Sequence, residues 1–139
     1  MRPFVLDAAA LEFHRITPDD PVRVAVLAGP ESSPVTVMLE AWDPGGAQPP
    51  NTHPRSIETC VFLRGNGFAV CDEHEVNVRA GDTIVLPAGT VHHIHNEGAG
   101  RLYSLTLMCP DEGFADLVRR GPVVPTDDED RAVFKAIPR

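Results

Sequence analysis

Basic residues are scarce in this sequence, and they never form a cluster. Its 139 residues include 12 Lys and Arg against 20 Asp and Glu, so the formal net charge is -8. Nucleic acids and anionic membrane surfaces attract proteins through concentrated positive charge. We therefore expect neither nucleic acid nor a membrane among the partners of this chain.

The sequence also lacks any apolar run long enough for a signal peptide or a membrane span. The start, MRPFVLD, contains no such run, and a membrane-spanning helix needs roughly 18 consecutive apolar residues. The three cysteines, Cys60, Cys71 and Cys109, are odd in number and do not have the spacing of metal-binding pairs. We expect reduced, mostly buried thiols in a cytoplasmic protein rather than a disulfide framework.

Long helices are disfavoured in the first three quarters of the chain, because 14 prolines and 11 glycines divide the sequence into short pieces. Many of these pieces are β-branched and aliphatic runs typical of strands. The turn-forming residues 64–67 are predicted to close a hairpin between two of them. A chain of this length with so many short strands is predicted to form one all-β domain, a sandwich or jelly roll. The predicted strands cover residues 22–27, 35–42, 58–63, 68–71, 75–78, 83–86, 92–96 and 102–108.

The end of the chain changes to helical patterns. Asp111 is the predicted N-cap of a helix over residues 112–120, which ends at Gly121. Thr126 and Glu129 form a capping-box pattern for a second short helix, and the acidic residues 127–130 are expected to be solvated at its start. The apolar stripe of the second helix is Ala132, Val133, Ala136 and Ile137. The predicted organisation is N-terminal strands over 1–34, a β-barrel over 35–108 and a helical tail over 109–139.

Three side chains that bind divalent metals occur at informative spacings. His53 and Glu58 stand at the start of one predicted hairpin, separated by a loop short enough to let their side chains converge from adjacent strands, and His92 begins a later strand. Two imidazoles and one carboxylate form the facial ligand set of non-haem Fe(II) sites, which leaves open positions for oxygen or substrate atoms. We predict one divalent metal per chain, with Fe as the best fit and Zn, Mn, Ni, Co or Cu as alternatives. A metal-free barrel in which these side chains only hydrogen-bond a ligand is the competing interpretation.

The sequence resembles the cupin superfamily, in particular its small single-domain members, over about residues 35–108. The first cupin motif, G-x5-H-x-H-x4-E-x6-G, is matched by Gly45, His53, Glu58 and Gly65, with Asn51 at the place of the first histidine. The second motif, G-x5-P-x-G-x2-H-x3-N, is matched in full by Gly81, Pro87, Gly89, His92 and Asn96. This resemblance implies a double-stranded β-helix, the jelly-roll barrel of cupins, with a metal inside held by His53, Glu58 and His92.

Asn51 is the one departure from the motifs. Its amide oxygen could coordinate the metal weakly as a fourth ligand, hydrogen-bond a metal-bound water, or orient a substrate. The sequence does not choose among these three roles.

Further residues are weaker candidates for the site. Because side chains alternate along a strand, Cys60 and Phe62 share the face of Glu58, and Ile94 shares the face of His92. We expect these three side chains and Trp42 to form the pocket around the metal, and we expect Met38 and Phe68 to lie in the core or pocket wall. The remaining histidines, His14, His74, His93 and His95, are expected at the surface.

Arg55 and Tyr103 are the candidate catalytic residues besides the metal ligands. Arg55 lies in the loop beside the ligands and is expected either to bind a substrate carboxylate or phosphate or to face solvent. Tyr103 is expected to donate a proton if its hydroxyl reaches the metal cavity, and otherwise to be a packed barrel residue.

Two classes of function fit these observations. The first is a metal-dependent enzyme acting on a small organic molecule, with dioxygenation ahead of redox-neutral isomerase, cyclase, lyase or decarboxylase chemistry. The second is a non-catalytic small-molecule-binding cupin. By analogy with small cupins, a homodimer is expected in which the segment Phe4–Leu11 covers a barrel edge.

Overall fold

The computed structural model describes residues 2–7 and 10–135. Within these residues the chain forms eleven strands and two short helices. Neither helix in this described part is long and apolar enough to cross a membrane. The strands are β1 (Phe13–His14), β2 (Val22–Ala28), β3 (Thr36–Trp42), β4 (Asn51–Thr52), β5 (Ile57–Arg64), β6 (Asn66–Cys71), β7 (His74–Arg79), β8 (Thr83–Leu86), β9 (Val91–Asn96), β10 (Leu102–Cys109) and β11 (Val123–Val124), and the helices are α1 (Phe114–Arg119) and α2 (Asp128–Lys135).

The strands form two antiparallel sheets that face each other. The larger sheet has the order β11-β1-β2-β3-β10-β5-β8, and the smaller has the order β4-β9-β6-β7. Strands that are distant in sequence, such as β3 and β10, are neighbours in the larger sheet, as a jelly roll requires. The predicted all-β jelly-roll architecture is confirmed.

The predicted hairpin between residues 58–63 and 68–71 is wrong. β5 pairs with β10 and β8, whereas β6 pairs with β7 and β9, so the chain passes from one sheet to the other between them. Gly65 makes this crossing at a φ of 93°. A side chain there would press on the backbone of Arg101 and Leu102, so the glycine permits a change of sheet rather than a tight turn.

Two apolar cores lie on the two faces of the larger sheet. The core between the sheets contains Met38, Trp42, Cys60, Phe62 and Ile94. The second core lies on the opposite face, where side chains of β1, β2, β3 and β10 meet Leu11 and Val133 of α2. Because side chains alternate along each strand, the two faces of one strand serve different cores.

Helix α1 begins later than the sequence pattern predicted. Glu112 and Gly113 both have positive φ values, 53° and 82°, so a right-handed helix cannot include them. The side chain of Asp111 still receives the backbone N–H of Ala115 at 3.0 Å and the hydroxyl of Thr36 at 2.7 Å. Asp111 therefore ties the start of α1 to β3 instead of acting as its N-cap.

The capping box of α2 is shifted by one residue from the predicted pair Thr126 and Glu129. Asp127 accepts the backbone N–H of Asp130 at 3.0 Å, and Asp130 accepts that of Asp127 at 3.2 Å. The hydroxyl of Thr126 instead bonds the carbonyl oxygen of Leu11. Of the predicted stripe, Val133 is buried, and residues 136 and 137 lie outside the described residues.

The expectation that the acidic start of α2 is solvated is wrong for Asp130, which is fully buried. Its carboxylate lies 3.1 Å from Arg23 and 3.1 Å from Arg101, and it accepts the hydroxyl of Tyr103 at 2.7 Å. The helix is therefore attached to the barrel by a buried ionic network that involves strands β2 and β10.

The prediction of mostly buried cysteines is only partly right. The three thiols are free, with Cys60 buried, Cys71 partly exposed and Cys109 exposed. Burial raises the pKa of the Cys60 thiol well above its usual value, which fits the interpretation of Cys60 as an inert core residue.

Candidate metal centre

The structure brings His53, Glu58 and His92 together at one point between the two sheets. The Oε2 atom of Glu58 lies 2.7 Å from Nε2 of His92 and 3.5 Å from Nε2 of His53. The centroids of the two imidazole rings are 5.4 Å apart. The three side chains offer ligand atoms that all lie within 4.8 Å of one another, which is the arrangement needed to hold one metal ion.

The candidate ligands come from facing sheets. The short loop between His53 and Glu58 had instead suggested adjacent strands, and that prediction is wrong. His53 follows β4 of the smaller sheet, and Glu58 lies on β5 of the larger sheet. β9 pairs with β4, and the register places His92 opposite Asn51. The loop after β4 thus spans the gap between the sheets.

Residues of the second motif fix the backbone around these ligands. Gly89, at a φ of 78°, donates its N–H to the carbonyl oxygen of His53 at 2.8 Å. The amide of Asn96 donates to the carbonyl oxygens of Trp42, Asp43 and Gly100 at 2.9 to 3.1 Å. Gly89 and Asn96 therefore position the segments that carry the histidines, and their role is structural rather than catalytic.

Electrostatics keep Glu58 ionised in this buried place. Only 7% of its surface is exposed, and burial alone would favour the neutral acid. The adjacent His53 and His92 outweigh burial and lower the pKa of Glu58 to about 2. Glu58 in turn raises the pKa of His53. Because the pKa of Glu58 itself is lowered to about 2, its carboxylate is anionic over the physiological range.

Unpaired polar atoms support a metal at this point. Oε2 of Glu58, Oδ1 of Asn51 and Nδ1 of His92 are buried, and none has a hydrogen-bond partner of acceptable geometry. Buried acceptors without partners are costly in a protein interior. A cation bound between the sheets would satisfy the Glu58 oxygen, so these residues fit a divalent ion.

Two of the three candidate ligands, His53 and Glu58, line a cavity of about 440 Å³. Its wall contains His53, Glu58 and Asn51 together with residues from the 16–22 segment, the 48–49 segment, β2, β3 and α1. Glu40 of β3 is a buried acidic residue in this wall that sequence reasoning missed. Its place on the inward face of a strand, in step with Met38 and Trp42, was the signal that could have found it.

Glu40 is buried, with 6% of its surface exposed. Burial, with the negative charge of Glu58 as the next cause, raises the pKa of Glu40 to about 8. The cavity therefore contains two carboxyl groups in opposite states, because Glu58 is ionised while Glu40 retains a proton at neutral pH.

Comparison with known proteins was decisive for the family. The cupin domain model matches residues 38–108, the part of the chain that contains all three ligands. The chain belongs to the cupin family. Germin-like protein 3-5 of Oryza sativa subsp. japonica is 32% identical over 116 residues, which are 74% of this chain and 51% of the relative. This cupin thus spans about half the length of that relative.

Solved structures show the same fold. A predicted oxalate decarboxylase from Thermotoga maritima superposes with a TM-score of 0.68 at 21% identity, over 77% of this cupin and 99% of that chain. An oxalate oxidase superposes with a TM-score of 0.62 at 22% identity, over 79% of this cupin and 57% of that chain. At such identities the likeness establishes architecture alone.

The four residues expected to form the pocket lie in the core between the sheets and are not part of the cavity wall. Trp42, Cys60, Phe62 and Ile94 are almost completely buried in the core between the sheets. They point inward as predicted, but their side chains pack in the core, and the lining is formed by other residues, including Phe114 and Leu117 of α1. The alternation of side chains along a strand predicts which residues face inward, but it does not predict which of them reach the cavity.

The structure does not bring Tyr103 to the site. Its side chain belongs to the second core, and its hydroxyl bonds Asp130. Burial also raises the pKa of this hydroxyl. Of the two alternatives for Tyr103, the packed barrel residue is the one observed.

Arg55 also lies apart from the cavity wall. Its side chain is 79% exposed, and Nε is 3.2 Å from Oε1 of Glu112. The same carboxylate accepts the backbone N–H groups of Arg55 and Ser56. This ion pair anchors the loop between His53 and Glu58 to the segment before α1.

The other histidines divide into three groups. His74 is exposed, as predicted. His93 and His95 are partly exposed on the face of β9 opposite His92, and the ring of His95 stacks on Phe68 at 4.3 Å. Phe68 is therefore on the outer face and not in the core. His14 was expected at the surface but is buried, with Nδ1 2.9 Å from the carbonyl oxygen of Gly121.

Proposed function

We propose that this cupin is a metal-dependent enzyme acting on a small organic molecule. The observation that carries the proposal is the convergence of His53, Glu58 and His92 beside a cavity large enough for such a molecule, with His53 and Glu58 in its wall. A cavity that joins ligand atoms to a mostly apolar wall is the usual form of a catalytic site.

Dioxygenation is the reaction that we favour. Bound iron would supply oxygen activation, and three protein ligands leave open positions on an octahedral ion. The residues of this chain have simpler tasks. His53, Glu58 and His92 hold the ion, the amide of Asn51 bonds a ligand or water beside it, and the side chains of α1 exclude bulk water.

Redox-neutral chemistry is the second candidate, and Glu40 is the observation that favours it. A carboxyl group with a pKa of about 8 can both give and accept a proton near neutral pH. Isomerisation, cyclisation, lyase and decarboxylation steps need such a proton carrier. The predicted oxalate decarboxylase from Thermotoga maritima is named for a reaction of this class.

The first test is elemental analysis of protein purified without added metal. We expect about one divalent ion per chain, and we expect His92→Ala to lose it because one of three ligands is removed. His93→Ala is the matched control, since His93 is on the opposite face of the same strand. Equal metal content in the two variants would contradict the proposed site.

The second test separates the reactions. Iron-loaded protein should consume oxygen with phenols, thiols or diketones if it is a dioxygenase. Conversion of substrate without oxygen uptake would favour the redox-neutral class. Protein that contains no metal and leaves every substrate unchanged would favour a non-catalytic binding cupin.

We also propose a cytoplasmic homodimer. Phe4 and Val5, in the segment expected to cover a barrel edge, are 62% and 96% exposed in the single chain. Apolar side chains at such exposure are commonly covered by a partner. The N-terminal segment of one protomer would lie on an edge of the other.

A further inference from the structure

The cavity at the proposed metal site is acidic. Four carboxyl-bearing residues line it, namely Asp19, Asp20, Glu40 and Glu58. Within the described residues, no lysine or arginine belongs to this lining. The two positive charges of a divalent ion do not offset the negative charges of four carboxylates. The net charge of the lining and the ion stays negative even when Glu40 carries a proton.

The nearest basic side chains are already paired with other groups. Arg15 bonds Asp43 at 3.1 Å and the carbonyl oxygen of Asp20. Arg55 points to Glu112 from an exposed loop. Neither guanidinium is placed to receive the carboxylate of a ligand inside the cavity.

The remainder of the wall is largely apolar, and it includes Val24, Phe114 and Leu117. Glu40 interrupts this apolar surface deep in the cavity, and a carboxyl group there accepts a hydrogen bond whether or not it carries a proton. Oδ1 of Asn51, a buried acceptor of the cavity wall without a hydrogen-bond partner, is an independent sign that the cavity is built for a bound species.

We propose that this cavity selects a small molecule with an apolar body and a hydroxyl or ammonium group that bonds Glu40, and that it rejects carboxylate ligands such as oxalate. The inference rests on the function proposed above for the position of the metal. Its physical basis is that an anionic ligand would enter a poorly solvated space already lined by carboxylates. Glu40 is thus a specificity-determining residue.

The chain has a built-in reporter of binding. Trp42 is its one tryptophan, and the indole N–H donates to Oε1 of Gln48, a residue of the cavity wall. A ligand that displaces or reorders Gln48 changes the surroundings of the indole. Trp42 fluorescence, checked by calorimetry, therefore follows occupation of the cavity.

The test compares three probes that share one apolar body: benzylamine, benzyl alcohol and benzoate, with oxalate as a fourth. Binding is measured to protein loaded with redox-inert Zn²⁺ and to metal-free protein. We expect benzylamine and benzyl alcohol to bind at least about tenfold more tightly than benzoate and oxalate in both forms.

Variants identify the group responsible. Glu40→Gln keeps an acceptor oxygen but, unlike Glu40, cannot release a proton and become anionic when an ammonium group binds beside it. The variant should therefore weaken benzylamine binding about tenfold and change benzyl alcohol binding less than about threefold. Asp19→Asn at the exposed mouth should improve benzoate binding without disturbing the buried wall. Glu75→Gln is the matched control, because Glu75 is an exposed strand residue outside the cavity.

Benzoate or oxalate binding as tightly as benzylamine would overturn the inference, and so would the absence of saturable binding by all four probes. An unchanged benzylamine affinity in Glu40→Gln would remove Glu40 from the role. These outcomes are separate from a failure of the proposed function. A chain that takes up no metal would refute the metal site, while the order of probes on metal-free protein would still decide the inference.

Discussion

At the scale of single residues, position on a strand decides which histidine faces the candidate metal centre. His92 and His93 are adjacent in sequence, yet one is buried at the ligand cluster and the other is on the outer face. This difference follows from the two-residue period of a strand, so the sequence predicted it. The state of Glu40 did not follow from the sequence, because its pKa depends on burial by segments far along the chain.

The raised pKa of Glu40 predicts how the free energy of unfolding changes with pH. Its pKa is raised to about 8 in the folded chain, whereas an unfolded Glu titrates near 4.3. Between these values the folded state holds a proton that the unfolded state has released, so rising pH destabilises the fold. We expect metal-free protein to lose about 2–4 kcal/mol from pH 5 to pH 9, and we expect Glu40→Gln to remove most of this loss.

Urea unfolding at a series of pH values in the presence of a chelator measures this effect. Glu58, whose pKa is lowered to about 2, acts in the opposite direction, and its contribution is lost only as pH falls below about 4.5. The two groups therefore act in separate pH windows. A wild-type profile as flat as that of Glu40→Gln between pH 5 and 9 would contradict the raised pKa.

At the scale of elements, the attachment of α2 is the feature that local patterns misjudged. The run Asp127–Asp130 reads as a solvated helix start, and Asp128 is indeed fully exposed. Two residues later, the side chain of Asp130 points toward the barrel and contacts Arg23, Arg101 and Tyr103. The partners lie on β2, on β10 and at the residue just before β10, more than 25 positions away in sequence, so no helical pattern could reveal them.

This network predicts a sharp contrast between two similar substitutions. Asp130→Asn leaves Arg23 buried beside a neutral group, which should cost about 3 kcal/mol. Asp128→Asn alters a solvent-exposed carboxylate and should have no measurable effect. Urea denaturation of both variants, with hydrogen exchange of the α2 amides, measures the difference. Equal stability of the two would show that the buried ion pairs do not hold the helix.

At the scale of the whole molecule, the larger sheet contains strands from every part of the chain. β1 and β2 precede the matched cupin region, β11 follows it, and all three belong to the same sheet as β3 and β10. The N-terminal segment before β1 leaves Phe4 and Val5 exposed. Their exposure bears on assembly rather than on the metal site.

The proposed homodimer is testable through this segment. Replacing Phe4 and Val5 by Glu introduces charge into the surface that a partner would cover, so the assembly should dissociate. Sedimentation velocity should show a dimer for wild type and a monomer for the double variant, while metal content stays the same. A monomeric wild type would refute the dimer, and a variant that remains dimeric would refute the role of the segment.

The sequence by itself determined the strands, the inward faces and the three residues that converge at the candidate metal centre. These features follow from local rules: the spacing of His53 and Glu58, the two-residue period of β5 and β9, and glycines at turns. The hairpin at residues 64–67 failed because the same turn residues also serve a crossing between sheets.

Only the tertiary structure decided the shape and charge of the cavity, the packing of Trp42 and Phe62 in the core rather than in its wall, and the burial of Asp130. Each of these depends on which distant segments pack together. Such packing is set by the sum of many weak contacts across the two sheets, and no short stretch of sequence contains it.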